Sequence, residues 1–191
     1  MEINNRLFIT ARKELREWLT ANSETQSECW VEAKRGKSAP YGKLWYLDAV
    51  EEALCFGWID STCRKVDGIT LQRFSPRTKN TSWSELNKER CRRLIKLGLM
   101  TDTGARVLPD LDKEMEIQGD VLSALQADKV VWGNFMSFPP LYRRVRIDRI
   151  QNERRLKRPE GFNRMLAKLV EATRRGIMIG EWHDYGRLID Y

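Results

Sequence analysis

Asp67-Gly68, set between two apolar runs, constrains this chain more than any other pair of residues. An Asp-Gly pair accepts positive φ at both positions, and the resulting turn has the twist of two antiparallel strands. Residues 58–66 and 69–74 therefore form a hairpin. Val66 faces Ile69 and Arg64 faces Leu71 on one side, with Lys65, Thr70, Gln72 and Phe74 on the other. Pro76 lacks an N–H and ends the return strand. Upstream, Asp48 and Glu51 make a capping-box pair that predicts a helix from Ala49, stopped by Gly57. Downstream, Ser82 and Glu85 make a second such pair. It opens a helix that turns Trp83, Leu86, Leu94 and Ile95 inward and closes at Gly98.

The remaining elements follow from spacing. Residues 10–21 carry Ala11, Leu15, Trp18 and Leu19 at helical intervals. Residues 28–34 (ECWVEAK) read as a strand, and 35–43, with Gly36, Pro40 and Gly42, as a loop. Thr101 caps a short turn and Asp128 a helix containing Val131 and Phe135. Helices also cover 120–126, the stretch after Pro139-Pro140, and 161–175. In the last of these, Phe162, Met165, Leu166, Leu169 and Val170 fall at i, i+3, i+4, i+7 and i+8. The expected class is α+β, mainly α. A small antiparallel sheet of about three strands, with one Asp-Gly hairpin, packs on helices, and a basic helical region follows. Residues 1–112 form the α+β core and 113–191 the helical region, as two units or one continuous domain.

A chain of 191 residues is long enough to bury a core. No apolar run approaches the roughly 20 residues that cross a bilayer. MEINNRLFIT has neither a basic flank nor an apolar stretch, so the expected compartment is the cytoplasm. Four cysteines without a CxxC pair and a single histidine argue against zinc and against a disulfide framework. No phosphate-cradling glycine motif occurs, and no cofactor is expected. The net charge of +7 is concentrated: residues 143–175 hold 12 Lys/Arg against 4 Asp/Glu. Arg154, Arg155, Lys157 and Arg158 are its densest run. Such a block suits an anionic ligand, an acidic partner or nucleic acid, and equally a solvated helix face.

Arg73, Arg77 and Lys79 lead into the helix that Ser82, Trp83 and Ser84 begin. Helix N-terminal N–H groups and arginines together suit phosphate or carboxylate. Alternatively the arginines pair with Asp60, Glu51 or Glu52. Asp60 is a candidate general base or a strand-starting acceptor. Cys63, beside Arg64 and Lys65, suits a nucleophile better than Cys55, but no histidine is near it in sequence, His183 being expected at the surface. No catalytic set emerges. Glu51 and Glu52 are adjacent on a helix and are not expected to face one substrate. The tryptophans read as core rather than base-stacking platforms, and only Trp45 and Trp83, beside basic loops, are worth testing as exposed.

The strings EEALCFGWID, QRFSPR and SWSELN, continued by GLMTDTG and ALQADKVVWGNF, resemble the YdeI/OmpD-associated, or bacteriocin-protection, family. Gly57, Trp58 and Asp60 belong to the first string. Members commonly carry an Ala-Lys…Glu-Thr-Arg run before the last helix, where this chain has LKRPEGF at 156–162. The resemblance implies the fold described and a link to antimicrobial-peptide or envelope stress, and it supplies no catalytic residue. The expectation is a non-enzymatic cytoplasmic protein that binds an anionic partner. Alternatives are nucleic-acid binding through the basic helices, or an enzyme acting on a small phosphate- or carboxylate-bearing substrate.

Overall fold

The computed structural model describes residues 3–78 and 81–191. The chain is α+β and mainly helical, in two compact units. The first comprises the chain up to Ser82, with Arg90–Pro109 and Tyr191; the second comprises Trp83–Glu89 and Asp110–Asp190.

In chain order the elements begin with β1 (Arg6–Leu7), α1 (Arg12–Asn22), β2 (Cys29–Val31), β3 (Ala33–Lys34), β4 (Leu44–Trp45) and α2 (Tyr46–Cys55). β5 (Trp58–Val66), β6 (Ile69–Pro76), α3 (Glu85–Lys96) and α4 (Asp102–Ala105) follow. The main sheet runs β1-β2-β6-β5 and is mixed, because β1 lies parallel to β2. β3 and β4 form a separate parallel pair. The hairpin has the expected register, Val66 opposite Ile69 and Arg64 opposite Leu71, with Asp67 at φ 49° and Gly68 at φ 80°. A bulge interrupts β5 between Asp60 and Cys63.

Three expectations are corrected. The segment 28–34 is not one strand; it breaks at Glu32 and serves two sheets, and β1 makes the main sheet four-stranded. α2 starts at Tyr46 rather than Ala49, because Asp48 and Glu51 do not cap it. Their carboxylates are taken by Arg12 instead, at 3.4 and 2.7 Å. α3 starts at Glu85, capped by Ser84, whose Oγ accepts the Asn87 N–H at 3.2 Å. Trp83 precedes that helix, and Ile95 is 46% exposed rather than inward.

The core of the first unit includes Leu15, Leu19, Trp30, Leu54, Trp58, Leu71 and Phe74. Trp58 also satisfies its indole N–H, which donates to the Ser23 carbonyl at 3.1 Å. At the end of α2 the Cys55 carbonyl accepts from both the N–H and the hydroxyl of Thr101. α4 approaches there so closely that a Cβ on Gly104 would stand 2.1 Å from that carbonyl oxygen.

The second unit holds α5 (Gly119–Gln126), α6 (Lys129–Ser137), α7 (Pro140–Arg155) and α8 (Pro159–Arg174), together with the first turn of α3. Asp128 caps α6 as expected, accepting from Val130 and Val131. Val121, Leu125, Val131, Phe135, Tyr142, Ile147 and Leu169 form its core, with Leu86 packed against it. Among the described residues no helix is long and apolar enough to cross a membrane.

Candidate anion-binding site

On α7, Tyr142, Arg146 and Arg149 stand at i, i+4 and i+7, and therefore share a face. On α8, Arg164 and Lys168 form one i, i+4 row and Met165 and Leu169 the row beside it. These faces and the loop at Ile179–Gly180 enclose a cavity of about 370 Å³. Its charged lining is Arg146, Arg149, Arg164 and Lys168, with no acid among the described lining residues; Ile150, Met165, Leu169 and Ile179 supply the apolar part.

Arg146 is the inner member, only 6% exposed. Its Nη2 donates to the Glu181 carbonyl at 2.8 Å, and its guanidinium lies over the Tyr142 ring, 5.4 Å from the centroid. Among the described residues its buried Nε–H has no acceptor. Burial holds the guanidinium below the ordinary arginine value and Arg149 repels it, against a raising influence from Tyr142 and Glu181. The surroundings hold this side chain in place. Tyr142, fully buried and edge-on to Phe138 and Trp182, accepts the Ile179 N–H at 3.1 Å. Gly180, at φ +64°, lets the backbone pass where a Cβ would lie 3.1 Å from Arg146 Nη2. The carboxylate of Glu181 points elsewhere, accepting from the N–H groups of Trp182, His183 and Tyr185.

Four neighbouring cations have acidic partners. Arg144 meets Glu89 at 2.8 Å and Glu85 at 3.4 Å; Arg155 meets Asp148 at 2.8 Å; Arg174 meets Asp128 and Glu171. Arg154 is paired with Asp120 and lies over the Phe162 ring. Of the four residues expected as basic surface, Arg154 and Arg155 are thus tied to acids. Lys157 and Arg158 line a second, more exposed hollow of about 350 Å³ with Asp120 and Phe162.

The residues of the sequence-derived anion candidate divide between the two units. In the first, Arg73 Nε meets Glu28 Oε2 at 2.5 Å, across the Trp30–Arg73 register of β2 and β6. Burial would raise the Glu28 carboxyl, but Arg73, the Trp30 indole and the Asn4 N–H outweigh it and hold it low. Arg77 is buried; its N–H donates to the Gly57 carbonyl and its Nη1 to the Ser82 carbonyl at 3.4 Å. Burial pushes its guanidinium down to about 10 despite Cys91 and Asp60. Lys79 lies outside the described residues. In the second unit Trp83 is half-buried and Ser84 is the cap. The Glu85 N–H donates to Asp148 Oδ2 at 3.1 Å, so this helix end holds a carboxylate of the chain itself.

Asp60 accepts the Tyr46 hydroxyl at 2.6 Å, and Arg35 lies 3.7 Å from the Tyr46 ring centroid. Cys63 is exposed beside the bulge, its Sγ 2.9 Å from Gln72 Oε1. Burial pushes the thiols of Cys29, Cys55 and Cys91 up to about 12. Trp45 is half-buried and donates to the Gly36 carbonyl; His183, also half-buried, accepts the Gly186 N–H at Nδ1. Glu51 and Glu52, adjacent on α2, share an arginine of the chain. Arg12 reaches Glu51 at 2.7 Å and Glu52 at 2.5 Å, because one guanidinium presents donors on two edges. Arg16 and Arg93 complete the network at 2.7 and 2.9 Å.

Arg146, Arg149, Arg164, Lys168 and Gly180 were not singled out from sequence. Arg149 has Glu153 four positions on, Arg164 has Glu160 four positions back and Lys168 has Glu171 three positions on, so charge spacing along the helices does not single these cations out.

Residues 7–107 match the model of a domain of unknown function (DUF8412), and residues 114–176 match the family described as bacteriocin-protection, YdeI or OmpD-associated. The second match covers the basic helices, where the recognisable motifs had thinned out. No curated protein and no solved structure matches the chain. By these matches the chain belongs to the DUF8412 family over its first half and carries on α5–α8 a domain of the bacteriocin-protection, YdeI or OmpD-associated family.

Proposed function

We propose that this protein is a non-enzymatic binder of an anionic ligand, held in the Arg146 cavity. One observation carries the reading: four cations converge on a space without acids, and the innermost is buried with an N–H left over. Burying a guanidinium is costly unless a counter-charge answers it. An anion in the cavity supplies that charge, and arginine offers it planar, bidentate hydrogen bonding. The volume lies within the range of small-molecule sites. We further propose that the binding serves in the cytoplasm during peptide or envelope stress, in keeping with the family description. Nucleic-acid binding is less well supported, because Arg144, Arg154, Arg155 and Arg174 are already paired with acids.

The test is the melting midpoint at low ionic strength against rising inorganic phosphate and sulfate. A ligand at a hundred times its Kd adds about 2.7 kcal/mol of stability. The midpoint should climb for the unmodified protein and stay flat for Arg146→Ala. A flat response in both, or an equal rise in both, removes the proposal. A labelled duplex that binds at low salt and is released steeply as salt rises favours the nucleic-acid reading instead.

A further inference from the structure

Resting on that reading, we infer that the ligand is an amphiphilic phosphate monoester, with its head on the four cations and an alkyl or acyl substituent along the apolar wall. Helix geometry sets the two surfaces side by side. Residues four apart on a helix form a row. The Arg164–Lys168 row of α8 therefore runs beside the Met165–Leu169 row, and both line the same space. α7 repeats the pairing with Arg149 next to Ile150, and the loop adds Ile179 beside Gly180. A bare inorganic ion would use only the cation rows and leave the apolar rows wet. A neutral apolar molecule would leave Arg146 buried without a counter-charge.

The head follows from the charge. Four cations without a lining acid are matched better by a dianionic phosphate than by a single carboxylate. The Arg146 Nε–H without an acceptor and its neighbouring cations give several donors for three terminal oxygens. The tail follows from side-chain type. Met165 is flexible and polarisable and adapts to chains of varied shape, while Ile150 and Leu169 are buried and fix the wall behind it.

Calorimetric titration of the full chain with inorganic phosphate and then methyl, butyl and hexyl phosphate reads the tail directly. Each buried methylene contributes about 0.8 kcal/mol, roughly fourfold in affinity, so Kd should fall in steps until the chain fills the cavity. Met165→Gln keeps the length of the side chain but places an amide in the wall. It should flatten the chain-length series, so that hexyl phosphate loses most of its advantage over methyl phosphate. Arg146→Ala should abolish binding of every member, and circular dichroism of both variants checks that they remain folded.

If inorganic phosphate binds as tightly as hexyl phosphate, the amphiphile is wrong and the anion site stands. If no phosphate binds at all, the proposed function falls with it. Alkyl carboxylates binding more tightly than the matching phosphates overturn the head-group assignment. Vesicles containing phosphatidylglycerol separate the two sources of such a head. Capture of soluble hexyl phosphate without vesicle binding supports a free ligand. Vesicle binding without capture of soluble phosphates overturns the inference in favour of a membrane surface.

Discussion

Arg12 in the first unit and Arg146 in the second are both drawn into the protein, yet their surroundings differ in sign. Arg12 meets two carboxylates that are each 1% exposed, and those carboxylates are shared with Arg16 and Arg93. Arg146 meets a carbonyl oxygen, an aromatic face and other cations. Burial of an arginine therefore does not distinguish scaffold from site; the charge of what lines its environment does. A network closed in charge by its own carboxylates holds α1, α2 and α3 of the first unit together, though Arg12 Nη2 also lacks an acceptor among the described residues. The space beside Arg146 has no acid among its described lining residues and retains capacity for a partner from outside.

The largest effect that can break this contrast is on the closed side. Glu52→Gln takes a carboxylate from Arg12 and Arg16. Removing one member of a buried pair costs about 3–5 kcal/mol. Arg12 and Arg16 keep 29% and 33% of their side chains exposed, so we expect about 2–3 kcal/mol, read from urea denaturation. A change under about 0.5 kcal/mol would mean that the network is not structural.

Arg146→Met should sit well below that. It loses one charge-assisted bond to a carbonyl but relieves burial and repulsion, so the unliganded protein should change by less than about 1 kcal/mol. A loss as large as that of Glu52→Gln would make Arg146 a staple of the 179–181 loop and erase the contrast.

The smallest effect concerns Glu181. Burial raises its carboxyl, but backbone donors from His183 and Tyr185, the charge on His183 and the Trp182 N–H together hold it below the usual 4.5. A carboxyl lowered by folding adds stability that is complete above its unfolded value and is lost as pH falls through the folded one. A Glu181-dependent loss of stability, read from urea denaturation, should therefore appear in the acid range below 4.5. Glu181→Gln should abolish that loss without altering phosphate binding at pH 7. If it weakens binding, the 179–187 segment contributes more to the cavity than one glycine and one isoleucine.

Local chemistry was enough for the hairpin turn, the Asp128 and Thr101 caps and the start of α7 at Pro140, since each depends on residues a few positions apart. β1 and β4 were not legible, because two residues carry no periodicity. Ser82 and Ser84 offer the same hydroxyl, and nothing nearby selects between them as a cap. The neighbouring Glu85 N–H is met by Asp148, which lies far along the chain. The basic block was visible as a sum but not as a partition. Arg144 finds its acids at positions 85 and 89, Arg154 at 120 and Arg174 at 128, and only this sorting exposes the cations that remain.

The bond from Glu85 to Asp148 also has a consequence for synthesis. The two residues are 63 positions apart, and ribosomes add about 5–20 residues per second, so the first turn of α3 emerges roughly 3–13 s before its carboxylate exists. Through that interval Leu86 has no finished core to enter. A gene fragment cut at residue 114, where the bacteriocin-protection match begins, would make the interval permanent. Such a fragment would carry Asp148 without its backbone donor and an apolar seat without Leu86, so the shortest piece expected to fold around the cavity must begin before Trp83.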